Sequence, residues 1–159
     1  MAETKFFNKI DSAYFQASRE KLGEVEYLVC KIDKSDSERM ELWKSAGISY
    51  LKDQNSKGKD IAVALIDLSE NTTPPTKERK LATLFILTFA DELKFKTVNA
   101  FVVRPNKKND RILERMFNNM VSLALKFAMK KYDLKVEFVK DMNEGRKRIF
   151  DLVMKCSFS

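Results

Sequence analysis

Histidine is absent from the 159 residues. Its absence excludes Ser-His and Cys-His nucleophile pairs, imidazole general bases and every metal site built on imidazole. Glycine occurs four times and proline three times, so no glycine-rich phosphate loop and no proline-rich linker interrupts the chain. The two cysteines, Cys30 and Cys156, lie 126 positions apart without CxxC spacing, which reads as two reduced thiols in a cytoplasmic protein. Long apolar runs are missing too. The longest, Leu81 to Ala90 (LATLFILTFA), falls well short of the ~20 residues of a membrane-spanning helix, and the opening MAETKFFNK carries no signal-peptide apolar region. The expectation is an intracellular protein with no membrane span, no metal and no cofactor.

What is present is one ordinary domain. A chain of 159 residues can bury roughly 70% of its unfolded surface without a disulfide or metal. Apolar residues at 44% and charged residues at 33% describe a globular core under a well-charged surface. The charge is unevenly placed: residues 1–75 hold 11 Lys/Arg against 13 Asp/Glu, and residues 76–159 hold 19 against 10. A positive field over the second half suits nucleic acid, an anionic membrane, an acidic protein or simple solubility. Most phenylalanines fall in periodic apolar segments, where they read as core rather than as base-stacking surfaces.

Along the chain, Asp11–Glu20 and Glu24–Asp33 are strand-like runs meeting at Leu22-Gly23, which predicts an opening hairpin. Phe6, Ile10, Tyr14 and Ala17 also fit helical spacing, so residues 1–23 stay open as a strand or helix element. Ser35 with Glu38 forms a capping-box pattern ahead of Met40, Leu42, Trp43, Ala46, Tyr50 and Leu51, predicting a helix to about Lys52 and a turn over Asn55–Lys59. The aliphatic Ile61–Leu68 reads as a strand covered on both faces. After Pro74 and Pro75, Thr76 is a candidate N-cap for an apolar segment through Leu93 that fits a helix or a buried strand. Val98–Val103 is a further strand, and Asn109 or Asp110 opens the longest helix. Leu134–Val139 is the last strand, and Asn143 starts a terminal helix. Alternating strands and helices after the hairpin imply an α/β fold. We expect a single domain over 1–159 with its α/β core in 24–154. Its sheet should be mixed but mostly parallel, of about five strands, with helices packed on it.

The residues Ala64–Glu70 (ALIDLSE), the Thr/Pro loop leading into TKERKLATL, VNAFVVRPN, and LKVEFVKDMNEGRKRIF together resemble the STAS-like fold of anti-sigma-factor antagonists over about residues 24–154. The resemblance implies a non-enzymatic module that binds a protein partner through its strand–helix loops, with a serine phosphorylated in an Asp-Ser-Ser-Gly turn. Here that turn reads Asn71-Thr72-Thr73-Pro74-Pro75-Thr76, without the serine pair or the glycine, so the phosphoswitch does not carry over directly. Asp67, Ser69, Thr73 and Thr76 are the candidate partner-binding or phospho-acceptor positions. Phosphate on a threonine at a helix start would be favoured by the dipole and free N–H groups; equally, Thr76 serves as a plain N-cap.

VNAFVVRPNKKNDRIL is similar in order to the acetyl-coenzyme A segment of GNAT acyltransferases. That likeness implies a pyrophosphate held at a helix start by a glycine-rich loop. This chain has Asn109 and Arg111 where the loop would carry glycine, and Phe150 near the position of the usual tyrosine acid. Arg104, Lys107, Lys108, Arg111 and Arg115 remain anion-binding candidates for coenzyme A, nucleic acid or an acidic partner. Arg111, Arg115, Asn118, Asn119, Ser122, Lys126 and Lys130 form a polar stripe on the long helix, which suits an acidic groove or only solvent. Finally, Asp33 and Asp67 end two predicted strands. If these are parallel neighbours, both carboxylates emerge at the sheet edge where open α/β sheets bind ligands; a Mg²⁺ site and simple turn capping both fit.

Overall fold

A computed structural model describes residues 9–34, 36–59, 61–70, 97–103 and 133–157. Its strands are β1 (Lys9–Ser12), β2 (Phe15–Leu22), β3 (Val25–Ile32), β4 (Ile61–Asp67), β5 (Thr97–Val103) and β6 (Asp133–Val139). Two helices are described, α1 (Ser37–Ser56) and α2 (Met142–Ser157). The strands lie in sequence order in one sheet. β1, β2 and β3 form an antiparallel meander, and β3 to β6 run parallel. The mostly parallel mixed sheet of the sequence reading is present, with six strands rather than about five.

The extra strand comes from a bend inside the predicted Asp11–Glu20 run. Ala13 and Tyr14 make a tight turn, and Ser12 pairs with Phe15. Tyr14 takes φ +63°, a conformation that costs a side chain with a Cβ and that a sequence pattern does not announce. The next hairpin is written plainly. Gly23, at φ +63°, occupies the first central position of a two-residue loop between the paired Leu22 and Val25, where positive φ favours glycine.

Side-chain alternation sorts the sheet into two apolar faces. Phe15, Ala17, Leu28, Cys30, Ile32 and Ala62 cluster with Ala46 and Tyr50 of α1, and Leu42, Trp43 and Leu51 pack against them. Tyr27, Val29, Val63, Leu65, Phe101, Val103 and Val139 cluster with Ile149 of α2. Neighbouring residues of β3 and β4 thus enter opposite cores, so α1 and α2 cover opposite faces. This is why Ile61–Leu68 reads as a near-continuous aliphatic run, interrupted by Asp67: its middle residues face a core on either side of the sheet. Cys30 is fully buried, and desolvation pushes its thiol up to about 12, so it is packing rather than a nucleophile.

The helix ends show their chemistry. Asp36, not Ser35, is the N-cap of α1: its Oδ1 accepts the Arg39 N–H at 2.9 Å. At the other end, Lys59 N–H donates to Gln54 O at 3.0 Å and Gly58 N–H to Asn55 O at 3.1 Å. Gly58 itself is at φ +70°, which together make a Schellman closure. The helix therefore runs four residues past the predicted Lys52. Asp141 caps α2 by accepting the Glu144 N–H at 2.8 Å, while Glu144 Oε2 accepts the Lys140 N–H at 2.7 Å. This reciprocal pair starts the helix at Met142, one residue before the predicted Asn143. Gly145 in its first turn lets α2 approach β4 closely, because a Cβ there would lie 2.5 Å from Leu65 Cδ1.

α2 is also fastened to the meander. Arg146 Nη2 donates to Glu20 Oε1 at 3.0 Å, and the Tyr27 hydroxyl donates to Glu20 Oε2. Arg146 holds the Glu20 carboxyl below its ordinary range, against partial desolvation and with help from Tyr27. A carboxyl lowered on folding stabilises above its unfolded pKa, and that contribution disappears as the pH falls through the folded value. Urea unfolding of the wild type and Arg146→Gln across an acid pH series is expected to show a stability gap at neutral pH that closes at acid pH. A gap unchanged by pH would assign the loss to packing instead.

Candidate functional site

Two polar clusters occur at opposite ends of β3. At its amino end, on the α1 face, the Arg19 guanidinium lies between Glu26 Oε1, at 3.1 Å, and Asp53 Oδ2 of α1. Lys57 Nζ approaches the same Asp53 oxygen to 3.1 Å. The Arg19, Glu26 and Asp53 side chains keep only 8%, 14% and 7% of their exposure. Beside them the Tyr50 hydroxyl donates to Glu26 O at 2.8 Å and accepts the Val63 N–H at 3.1 Å. Pairing between β3 and β4 begins only at Leu28 and Ala64, so Tyr50 bridges the strands where they splay. Burial pushes its phenol up to about 12, which keeps the hydroxyl a donor. These groups neutralise one another and hold α1 to the meander.

The second cluster lies at the carboxyl edge of the parallel strands. Lys31 and Asp67 are register partners on the parallel pair β3 and β4, so the two strand ends singled out in the sequence are indeed neighbours. Lys31 Nζ lies 2.9 Å from Glu70 Oε2 and 4.0 Å from Asp33 Oδ2. Asp67 Oδ1 accepts the Ser69 N–H at 2.9 Å, so this carboxylate caps the turn leaving β4. Asp33 Oδ1 is shut off from solvent and accepts no hydrogen bond among the described residues. Desolvation raises the Asp33 pKa; Lys31 opposes this, while Glu70 and Asp67 add to it. No group of three or more His, Cys, Asp or Glu residues able to hold a metal ion occurs among the described residues.

The Ala13-Tyr14 turn borders this edge, because Asp33 N–H donates to Tyr14 O at 2.9 Å. Arg39 Nε donates to Ala13 O at 3.0 Å and Nη1 to Asp36 Oδ2 at 2.8 Å. The Tyr14 ring is 55% exposed, with Lys34 Nζ 5.7 Å and the Arg39 guanidinium carbon 5.4 Å from its centroid. Sequence reasoning missed Tyr14 and Lys31. Tyr14 looked like one position of an apolar pattern, and Lys31 like one more surface lysine.

No protein-family model, no curated protein and no solved structure matches the chain. Of the candidate residues, Asp67 and Ser69 stand together at the carboxyl edge. Thr73, Thr76, Arg104, Lys107, Lys108, Arg111 and Arg115 lie outside the described residues, as does the 81–89 segment left open between helix and strand. No helix among the described residues is long and apolar enough to cross a membrane.

Proposed function

We propose that the chain is a STAS-like interaction and regulatory module that binds a protein partner at the carboxyl edge of its parallel strands, without bond-making chemistry. The observation that carries this reading is the edge itself. Lys31, Asp33, Asp67, Ser69 and Glu70 bring both charge signs together on adjacent strand ends and the turn that follows. Tyr14 adds an exposed aromatic ring beside them, the side-chain type most often found at the centre of protein interfaces. The bonds from Asp33 N–H to Tyr14 O, from Leu68 N–H to Val103 O and from Ser69 N–H to Asp67 Oδ1 fix the backbone that carries them. The parallel order β3 to β6, with α1 between its first two strands, accords with the STAS-like reading. Thr73 and Thr76 follow Glu70 in sequence, and phosphate on either would add negative charge to a surface that a partner must match. The basic residues between Arg104 and Arg115 serve as a second contact for an acidic partner.

The test compares proteins retained from a cell extract by the immobilised wild type and by the charge-reversed pair K31E/E70K. The swap reverses the Lys31–Glu70 pair and the charge the edge presents, and it also sets a third carboxylate beside Asp33 and Asp67. A partner held by the wild type and lost by the swap, at a temperature where circular dichroism shows both proteins folded, is the expected result. Identical retained sets would remove the edge from consideration. Aspartate at Thr73 or Thr76 is expected to weaken the same partner, and unchanged binding would remove the phosphoswitch.

A further inference from the structure

Among the described residues β6 is the last strand of the sheet and pairs with β5 alone. Sheet edges are usually guarded by shortness, proline, a bulge or a charge. β6 is seven residues long, Asp133–Val139, with the sequence DLKVEFV, so it has no proline or glycine. Besides Asp133 at its start, it carries two exposed charges of opposite sign, Lys135 and Glu137. They stand two positions apart, and period-two alternation places both on the α2 side of the sheet with Val139. We propose that β6 is the contact between two copies of this chain, pairing antiparallel across a two-fold axis at Val136 to continue the sheet from one copy into the next.

Under that axis Lys135 faces the partner's Glu137 and Glu137 faces the partner's Lys135, while position 134 meets position 138, leucine against phenylalanine. Opposite charges directly across an antiparallel pair stabilise it, and like charges oppose it. Sliding the register by two residues either way sets Lys135 against the partner's Lys135, or Glu137 against the partner's Glu137. A four-residue slip would set Asp133 opposite the partner's Lys135 but would pair only Asp133 to Lys135 of the strand, so the longest self-complementary pairing, as a two-fold contact requires, is the one centred on Val136. Glu137 also meets Arg148 Nε of α2 at 3.3 Å, but both side chains are about half exposed. A second cation across the dimer can share that carboxylate, because such exposed pairs contribute little alone. The opposite edge, β1, is only four residues long and offers much less backbone to pair.

Strand pairing of this length gives a small interface, hence a concentration-dependent dimer rather than a permanent one. Sedimentation velocity of the full chain over a concentration series is expected to show the wild type moving from monomer to dimer. K135E places glutamates opposite one another twice and is expected to weaken association roughly tenfold. The double variant K135E/E137K swaps the charges and should restore it, with circular dichroism and thermal unfolding unchanged throughout. A wild type that stays monomeric, a K135E variant that dimerises like the wild type, or a double variant that fails to recover would each overturn the proposal. This contact is independent of the carboxyl edge, so neither experiment decides the other.

Discussion

Replacing Arg19 with alanine is expected to destabilise the protein by about 3–5 kcal/mol, the range for breaking a buried ion pair by removing one partner. Arg19 stands between Glu26 and Asp53, so its loss leaves two buried carboxylates with Lys57 as their nearby cation. Lys57 is about half exposed and meets Glu26 only at 3.9 Å, so it cannot replace a desolvated guanidinium. The expectation separates two accounts of the cluster. If its value lies in net electrostatic attraction, no apolar replacement should rescue it. If its value is mainly in avoiding unpaired buried charge, R19M/E26L/D53L should recover most of the loss, because apolar groups of similar volume carry no desolvation penalty. Urea unfolding of the single and triple variants reads the difference directly. A single variant within about 1 kcal/mol of the wild type would show that water reaches the cluster freely.

The second large effect is expected at Tyr50, where phenylalanine keeps the ring and removes only the hydroxyl. Tyr50 is 2% exposed, and its oxygen is the partner of both the Val63 N–H and the Glu26 carbonyl. A buried donor left unpaired costs about 1–3 kcal/mol, and water has little access to Val63, itself 1% exposed. Tyr50→Phe should therefore lower stability by about 2 kcal/mol. Amide exchange at Val63 should quicken by more than global destabilisation explains, because the strand opening is local. A loss spread evenly over all amides would show that the hydroxyl bridges nothing particular.

These two residues also mark the limit of reading the chain as a string. Tyr50 was legible as a core position from its spacing with Met40, Trp43 and Ala46, but its hydroxyl's task depends on β3 and β4 diverging above it. Asp53 and Gln54 fall between the predicted helix end at about Lys52 and the predicted turn over Asn55–Lys59. They are instead the last inward-facing positions of α1, 5% and 2% exposed. Their polarity is accommodated by Arg19 and Glu26, which come from more than 25 residues earlier in the chain. Local composition carries no trace of such a pairing. In the same way, the capping choice of Asp36 over Ser35 turned on where Arg39 and the Ala13-Tyr14 turn meet.

The candidate edge divides along the same line. That Asp33 and Asp67 end strands followed from their place after aliphatic runs, and that those strands could be parallel neighbours followed from the helical pattern between them. That Asp67 caps its own turn while Lys31 links Asp33 and Glu70 was decided by register, since a one-residue slip would move every side chain to the opposite face.

By itself the sequence determined the order of the described strands and helices from β3 onward and which residues are apolar enough to be core. It also excluded imidazole chemistry, because composition and hydrophobic period are local properties. Only the tertiary structure decided which face each core residue serves, how Arg19 and Lys57 balance Glu26 and Asp53, and which polar groups share the carboxyl edge. These depend on distances between segments far apart in the chain, and those distances exist only once the sheet has formed.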